Sequence, residues 1–210
     1  MKDFGINEIT KDTYIQFHKL IDDDDERGAI ELLKKCGDSF NVNYECEMKL
    51  PIFSAVNKKM NDLFDEIVNH HTFDGANEDA FGEPLLETLI VLRGCVSTNE
   101  NDISVFDRMI RTLLNSSKTD LNAVDLTNDT AINISCEYPK LLWVTEDLVN
   151  REYVNPNIIN DFDSTALTNA IVNKNIEAVK LLSKRKDLIV RNKDRELATK
   201  HGISLSEYGL

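Results

Sequence analysis

No stretch of this chain approaches the roughly 18–20 continuous apolar residues that a membrane helix requires. The richest run, "PLLETLIVL" (84–92), is broken by Glu87. The opening "MKDFGINEITKDTYIQF" carries acids and lacks an apolar core, so it does not read as a signal peptide. The four cysteines, Cys36, Cys46, Cys95 and Cys136, form no CxxC pair, which with no secretory signal predicts reduced thiols and a cytoplasmic location. On that reading the sequons at Asn115, Asn128 and Asn133 carry no meaning. Also missing are GxSxG, HExxH, the P-loop and GxGxxG, so the residues supply no catalytic constellation and no cofactor or metal site is expected.

Basic residues are scarce as well. Lys and Arg number 24 against 37 Asp and Glu, a net charge of −13. The imbalance is uneven: residues 1–105 hold 22 acids and 10 bases (−12), and 106–210 hold 15 and 14 (−1). Between Lys174 and Lys200 nine bases face four acids. A chain acidic at the front and mildly basic at the back is electrically polar along its length. Phosphate would be repelled over most of that surface, which argues against direct nucleic-acid binding.

Three features invite sharper chemistry. The run Asp22–Asp25 with Glu26 suggests calcium, but counting from Asp22 puts Arg27 at the sixth place and Leu33 at the twelfth, where a calcium loop needs Gly and Glu. A solvated turn between helices fits it better. His70-His71 point about 100° apart on a helix and do not chelate as an i, i+4 pair, so they read as surface histidines at a helix end. Trp143, in "PKLLWVTEDLV", fits either packing between repeats or an exposed anchor.

What the chain does have is a period. Paired aliphatics recur at Leu32-Leu33, Ile67-Val68, Leu113-Leu114, Leu148-Val149 and Leu181-Leu182, at spacings of 35, 46, 35 and 33 residues. The starts "LPIFSAV" (50–56), "EPLLETL" (83–89), "TAINISC" (130–136) and "TALTNAI" (165–171) fall 33, 47 and 35 apart. Both anchors place an insertion in the third unit, visible as the polar "VSTNENDIS" (96–104). Each unit reads as turn, short helix, tight turn, second helix and an Asp/Asn-rich loop. Helices of about eight residues are marginal alone in water, so they must stack on neighbours to bury their stripes. Thr130 and Thr165 stand as helix N-caps.

These units resemble ankyrin repeats. "TAL", "LPI" and "EPL" stand at the family's Thr-Pro-Leu, "NIEAVKLL" (175–182) at its second helix, and "DLNAVD" (120–125) and "NVN" (41–43) at its inter-repeat stretch. The family's His after Leu is Phe53, Leu86, Asn133 or Thr168 here, and its Gly closing the first helix is Lys59, Pro139 or Lys174. Losing the His removes a tether between neighbouring turns, which predicts irregular repeats. The resemblance implies an all-α, ankyrin-type helix-turn-helix solenoid of about five repeats with degenerate terminal caps. It forms a single domain over 1–210: a degenerate first repeat 13–43, then 44–77, 78–124 with the inserted loop 96–104, 125–159, 160–191, and a C-terminal cap 192–210.

The function so implied is non-catalytic binding of another protein through the concave face and turn tips, with variable side chains making the contacts. The repeat frame puts Cys46, Glu47 and Lys49 at the second tip and Asp79, Ala80 and Gly82 at the third. It puts Leu126, Thr127 and Asp129 at the fourth, and Asp161, Phe162 and Ser164 at the fifth. The expected partner-binding set is Glu47, Lys49, Asp79, Leu126, Asp129, Asp161 and Phe162, facing a partner with a basic patch. Leu126 and Phe162 are apolar on solvated turns and either meet a partner or fold back onto the next turn. The alternative is an acidic inhibitor that imitates nucleic acid before a DNA- or RNA-binding enzyme. Loosely matched, Asn- and Ile-rich units also resemble viral and intracellular-bacterial proteins that antagonise host factors.

Overall fold

The computed structural model describes residues 9–79, 81–96 and 98–210. Ala80, and Ser97 of the expected loop, lie outside them, as do residues 1–8. Among the described residues there are eleven α-helices: α1 (Lys11–Asp22), α2 (Glu26–Cys36), α3 (Pro51–Lys58), α4 (Asn61–Asn69), α5 (Leu85–Cys95), α6 (Glu100–Asn115), α7 (Ala131–Ser135), α8 (Leu142–Val149), α9 (Ala166–Val172), α10 (Ile176–Leu182) and α11 (Asn192–His201). All five aliphatic pairs fall on the second helices α2, α4, α6, α8 and α10.

The helices gather into two compact units, Met1–Phe81 with Glu100–Thr119, and Gly82–Asn99 with Asp120–Leu210. In the first unit α1 packs on α3, and α2, α4 and α6 make a second row behind them. Its core holds Phe17, Ile21, Phe40, Leu63, Phe64 and Ile67, all fully buried, with Phe17 edge-on to Phe40 at 4.9 Å. In the second unit α5, α7, α9 and α11 form the front row, with α8 and α10 behind. Leu89, Ile90, Ile132, Val144, Leu148, Leu167, Ile171 and Leu182 fill that core. The row explains how a helix as short as the five residues of α7 persists: every one of its side chains is buried against neighbours.

The insertion differs from its expected form. Residues 100–104 are no loop but the first turn of α6, which at 16 residues is the longest helix present. The extra length is anchored: Arg108 reaches Asp62 at 2.6 Å and Asp65 at 2.6 Å, and Thr112 donates to Asp65 at 2.6 Å.

The acidic run does form the α1–α2 turn, but its carboxylates serve the fold. Asp25 caps α2 by accepting from Gly28 N at 2.9 Å. Glu26 accepts from Asp62 N (2.9 Å) and Leu63 N (3.0 Å) at the start of α4, while Asp24 pairs with Lys58 at 2.9 Å. His70, rather than standing at the surface, is half-buried and bonded to Thr72 Oγ1 at 2.9 Å.

Asparagines in the loops satisfy backbone in the following loop. Asn43 Nδ2 donates to Thr72 O, and its Oδ1 accepts from Asp74 N at 3.2 Å. Asn122 repeats the clamp on Tyr153 O (3.0 Å) and Asn155 N (2.7 Å), and Asn157 repeats it on Asp187 O (2.8 Å) and Ile189 N (2.9 Å). One amide thus replaces a pair of ladder bonds between adjacent loops, where each bond contributes about 1 kcal/mol.

Thr130 and Thr165 cap α7 and α9 as expected. Lys59 and Lys174, at the family's Gly position, adopt left-handed backbone with φ of 59° and 54°. That conformation costs a residue with a Cβ roughly 1–2 kcal/mol, partly offset by the ~0.4–1 kcal/mol of unfolded-chain freedom that Gly adds. Lys174→Gly should therefore stabilise the second unit by about 0.5–1 kcal/mol. Urea unfolding followed by Trp143 fluorescence tests this, and a lowered midpoint would refute it.

Candidate functional site

The expected contact residues lie on turn tips, and the two tips of the second unit are built alike. In the fourth-repeat tip Asp125 N donates to Asp129 O (2.9 Å), and Asn128 turns the corner at φ 60°. Asp125 Oδ1 accepts from Thr127 N (2.8 Å), Thr127 Oγ1 (2.9 Å) and Asp129 N (2.8 Å). In the fifth-repeat tip Asn160 takes Asp125's place, accepting from Phe162 N (3.0 Å) and Ser164 N (2.8 Å), with Asp163 at φ 55°. Both are side-chain-stabilised turns of the kind Asp and Asn favour.

The tips are zipped together. Asp161 N donates to Thr127 O at 2.8 Å, Asn128 Nδ2 to Asp161 Oδ1 at 2.7 Å, and Asn160 Nδ2 to Asp129 Oδ2 at 2.8 Å. Behind them, Lys193 Nζ donates to Phe162 O at 3.0 Å and Arg191 to Asp163 at 2.8 Å. The Lys193 ammonium beside Asp163 holds that carboxyl below the usual carboxylate range.

The polar groups of the zipper are thereby committed to one another, and the apolar side chains are left outside. Leu126 is 63% exposed and Phe162 is 69% exposed, so neither folds back onto the next turn. Val124 and Ile159, also exposed, join them. These two were missed in the sequence, although their separation of 35 residues, the local repeat length, marks them as the same register position.

Asp129 corrects an expectation. It is only 7% exposed, because Asn160 draws its carboxylate inward, and burial raises its pKa. It is a structural group rather than a contact. Asp161 is exposed but already accepts from Asn128. In the first unit Glu47 is exposed on left-handed backbone, Lys49 is exposed and pairs with Asp22 at 3.3 Å, and Asp79 is half-buried, accepting from Phe81 N at 2.8 Å. That unit also exposes Met48 and Phe81, which the charge-centred reading passed over.

A buried polar line runs along the front row of the second unit. The N-caps are Pro84, Thr130 and Thr165, so the residue three places on is Glu87, Asn133 and Thr168. The family's His position in the third repeat is thus Glu87 and not Leu86; "EPL" was one residue out of register. All three reach beyond their own helix: Glu87 Oε1 accepts from Ala131 N (3.1 Å), Asn133 Nδ2 donates to Ile158 O (3.2 Å) in the loop before the fifth tip, and Thr168 Oγ1 to Asp194 (2.6 Å). In this unit the lost tether is therefore rebuilt with other chemistry. Burial pushes the Glu87 carboxyl up to about 8 and also raises Glu137. Cys136, fully buried, has its thiol pushed up to about 12, so it is no nucleophile at neutral pH. Trp143 is half-buried on α8.

No family model and no curated protein matches the sequence. Among solved structures, the chain is similar to an ankyrin repeat domain from Acinetobacter baumannii, at 16% identity and a TM-score of 0.68. The match covers 92% of this chain and 93% of that one. At this identity the likeness shows the fold alone: an all-α fold of the ankyrin repeat type. Among the described residues no helix is long and apolar enough to cross a membrane.

Proposed function

We propose that the chain is a non-catalytic protein-interaction module that engages its partner through the zipped tips of its second unit, with Leu126 and Phe162 as anchors. The observation that carries this reading is the pairing of large exposed apolar groups with a polar turn framework whose bonds tie the two tips to each other. Burying each against a partner gains about 1.5–3 kcal/mol, and a few buried anchors carry most of an interface's energy. The rigid tips add affinity by requiring little ordering on binding.

A partner with a basic patch remains the charge match for this acidic chain, through exposed acids such as Glu47 in the first unit and Asp161 in the second. Complementarity of this kind acts mainly on association rate. The nucleic-acid-mimic alternative loses support, because Asp24, Asp25, Glu26, Asp62 and Asp65 are spent on caps and ion pairs within the fold.

The test is affinity capture at low and high salt, followed by titration of the captured protein against wild type and the Leu126→Ala/Phe162→Ala double variant. Binding weaker by at least about a hundredfold is expected, at an unchanged urea midpoint. Equal binding by the folded variant removes the tips from the interface. A Glu47→Lys variant that associates at the wild-type rate at low salt removes the basic-patch element.

A further inference from the structure

Glu87 is a poorly accommodated group of the second unit. It sits on α5 with 1% of its surface exposed, and one hydrogen bond beyond its own helix holds it: Oε1 accepts from Ala131 N, the first residue of α7, at 3.1 Å. The other oxygen, Oε2, is buried and has no hydrogen-bond partner. A neutral carboxyl accepts that bond on Oε1 and leaves only an uncharged O–H on Oε2 unanswered. An ionised one would be a buried charge answered only by Ala131 N and its own backbone N–H, and burying a poorly paired charge is expensive.

The surroundings add to that cost. The loop leading into α7 brings Asp120 and Asp125, both of which disfavour ionisation of Glu87. Asp129 and Glu137 lie at the two ends of α7, and Glu83 precedes α5. The titratable groups of the adjoining turn are Tyr138, whose ring packs on Gly94 of α5, and Lys140, whose ammonium donates to Val96 O at 2.8 Å. On α5 itself are Arg93, six residues on, and Cys95.

We propose that Glu87 is a proton latch. Neutral, it fastens α5 to the N-terminus of α7. Ionised, it leaves that junction, freeing the start of α7 and the tip turn 124–130 that precedes it.

Burial is the largest cause holding this carboxyl up to about 8, against 4.5 in the open chain. The sign follows from linkage. Between those values the closed form keeps a proton that the open form releases, so opening becomes easier as pH rises. The change is about tenfold per pH unit, levelling off above about pH 8, with the latch tightest below 4.5. If the tip binds a partner as proposed above, binding weakens over the same interval; the latch itself is tested without a partner.

The experiment is amide hydrogen exchange of the folded chain from pH 5.5 to 9, corrected for the intrinsic pH dependence, in wild type and Glu87→Gln. In wild type, protection of amides 125–135 should fall about tenfold per pH unit to about pH 8, while amides of α10 stay level. Glu87→Gln should abolish that slope. A flat wild-type profile, or an equal slope in the Gln variant, overturns the latch. If the variant does not fold, carbon NMR of labelled wild-type Glu87 decides: titration near 8 supports the latch, and titration near 4.5 ends it.

Discussion

Arg185→Ala is expected to cost the second unit about 3–5 kcal/mol, the largest single loss available outside its apolar core. The guanidinium is only 10% exposed and works as a junction. Nη1 donates to the carbonyls of Val149 (3.1 Å) and Arg151 (3.0 Å), and Nη2 to those of Glu152 (3.2 Å) and Val154 (2.8 Å). Asp187 grips the fork from the other side at 2.8 and 2.7 Å. Val149 is the last residue of α8, so the cation sits where the helix leaves carbonyls unpaired and its dipole is negative. Alanine strips that end of its partner and leaves Asp187 alone. Lysine recovers little, because a point ammonium lacks the planar fork that meets several carbonyls at once. Trp143 lies on α8, so its fluorescence during urea unfolding reports the affected unit. A loss below about 1 kcal/mol would mean that water replaces these bonds at almost no cost.

Asp194→Ala should cost about 3 kcal/mol by leaving buried polar partners unanswered. The carboxylate is fully buried at the start of α11. Its Oδ2 accepts from Arg191 N at 2.9 Å and its Oδ1 from Thr168 Oγ1 at 2.6 Å, joining the closing helix to α9. Arg191 also donates to the same hydroxyl at 2.7 Å and to Asp163 at 2.8 Å. Losing Asp194 loosens α11, the helix that covers the buried Leu167, Ala170 and Ile171 of α9. Limited proteolysis should then cut in 185–195 well before the rest of the unit, and a variant as resistant as wild type would show that α11 is held by packing alone. Asp194→Asn, which keeps the shape but turns an NH₂ toward donors, should fall between.

The repeat period carried most of the fold. Paired aliphatics are a packing signal, fixed by the need of each second helix to bury one stripe, and every pair landed on such a helix. The Thr caps were equally legible, since a hydroxyl at a helix start has one dominant use. Three things were hidden. Residues 100–104 are polar because they lie on a solvated helical turn, and polarity alone does not separate that from a loop. Glu87 was masked by matching "EPL" letter for letter, when Pro84 itself takes the N-cap place. The duties of Arg185, Asp129 and the acidic turn depend on partners about 30 residues away, which no local pattern announces. For the site, Leu126 and Phe162 stood out as apolar letters in polar turns, whereas charge alone misjudged Asp129.

The asparagine clamps bear on how such a chain can lengthen. Each takes its side chain from one loop and its backbone from the next, so the joint is split evenly between neighbours. A duplicated segment running from just after Asn122 through Asn157 would bring one fresh clamped loop and one fresh clamping asparagine with it. Both new seams would close with bonds already in use. The chain is thus built from interchangeable links whose couplings are encoded within the link itself, and growth by copying needs no new chemistry at the junction.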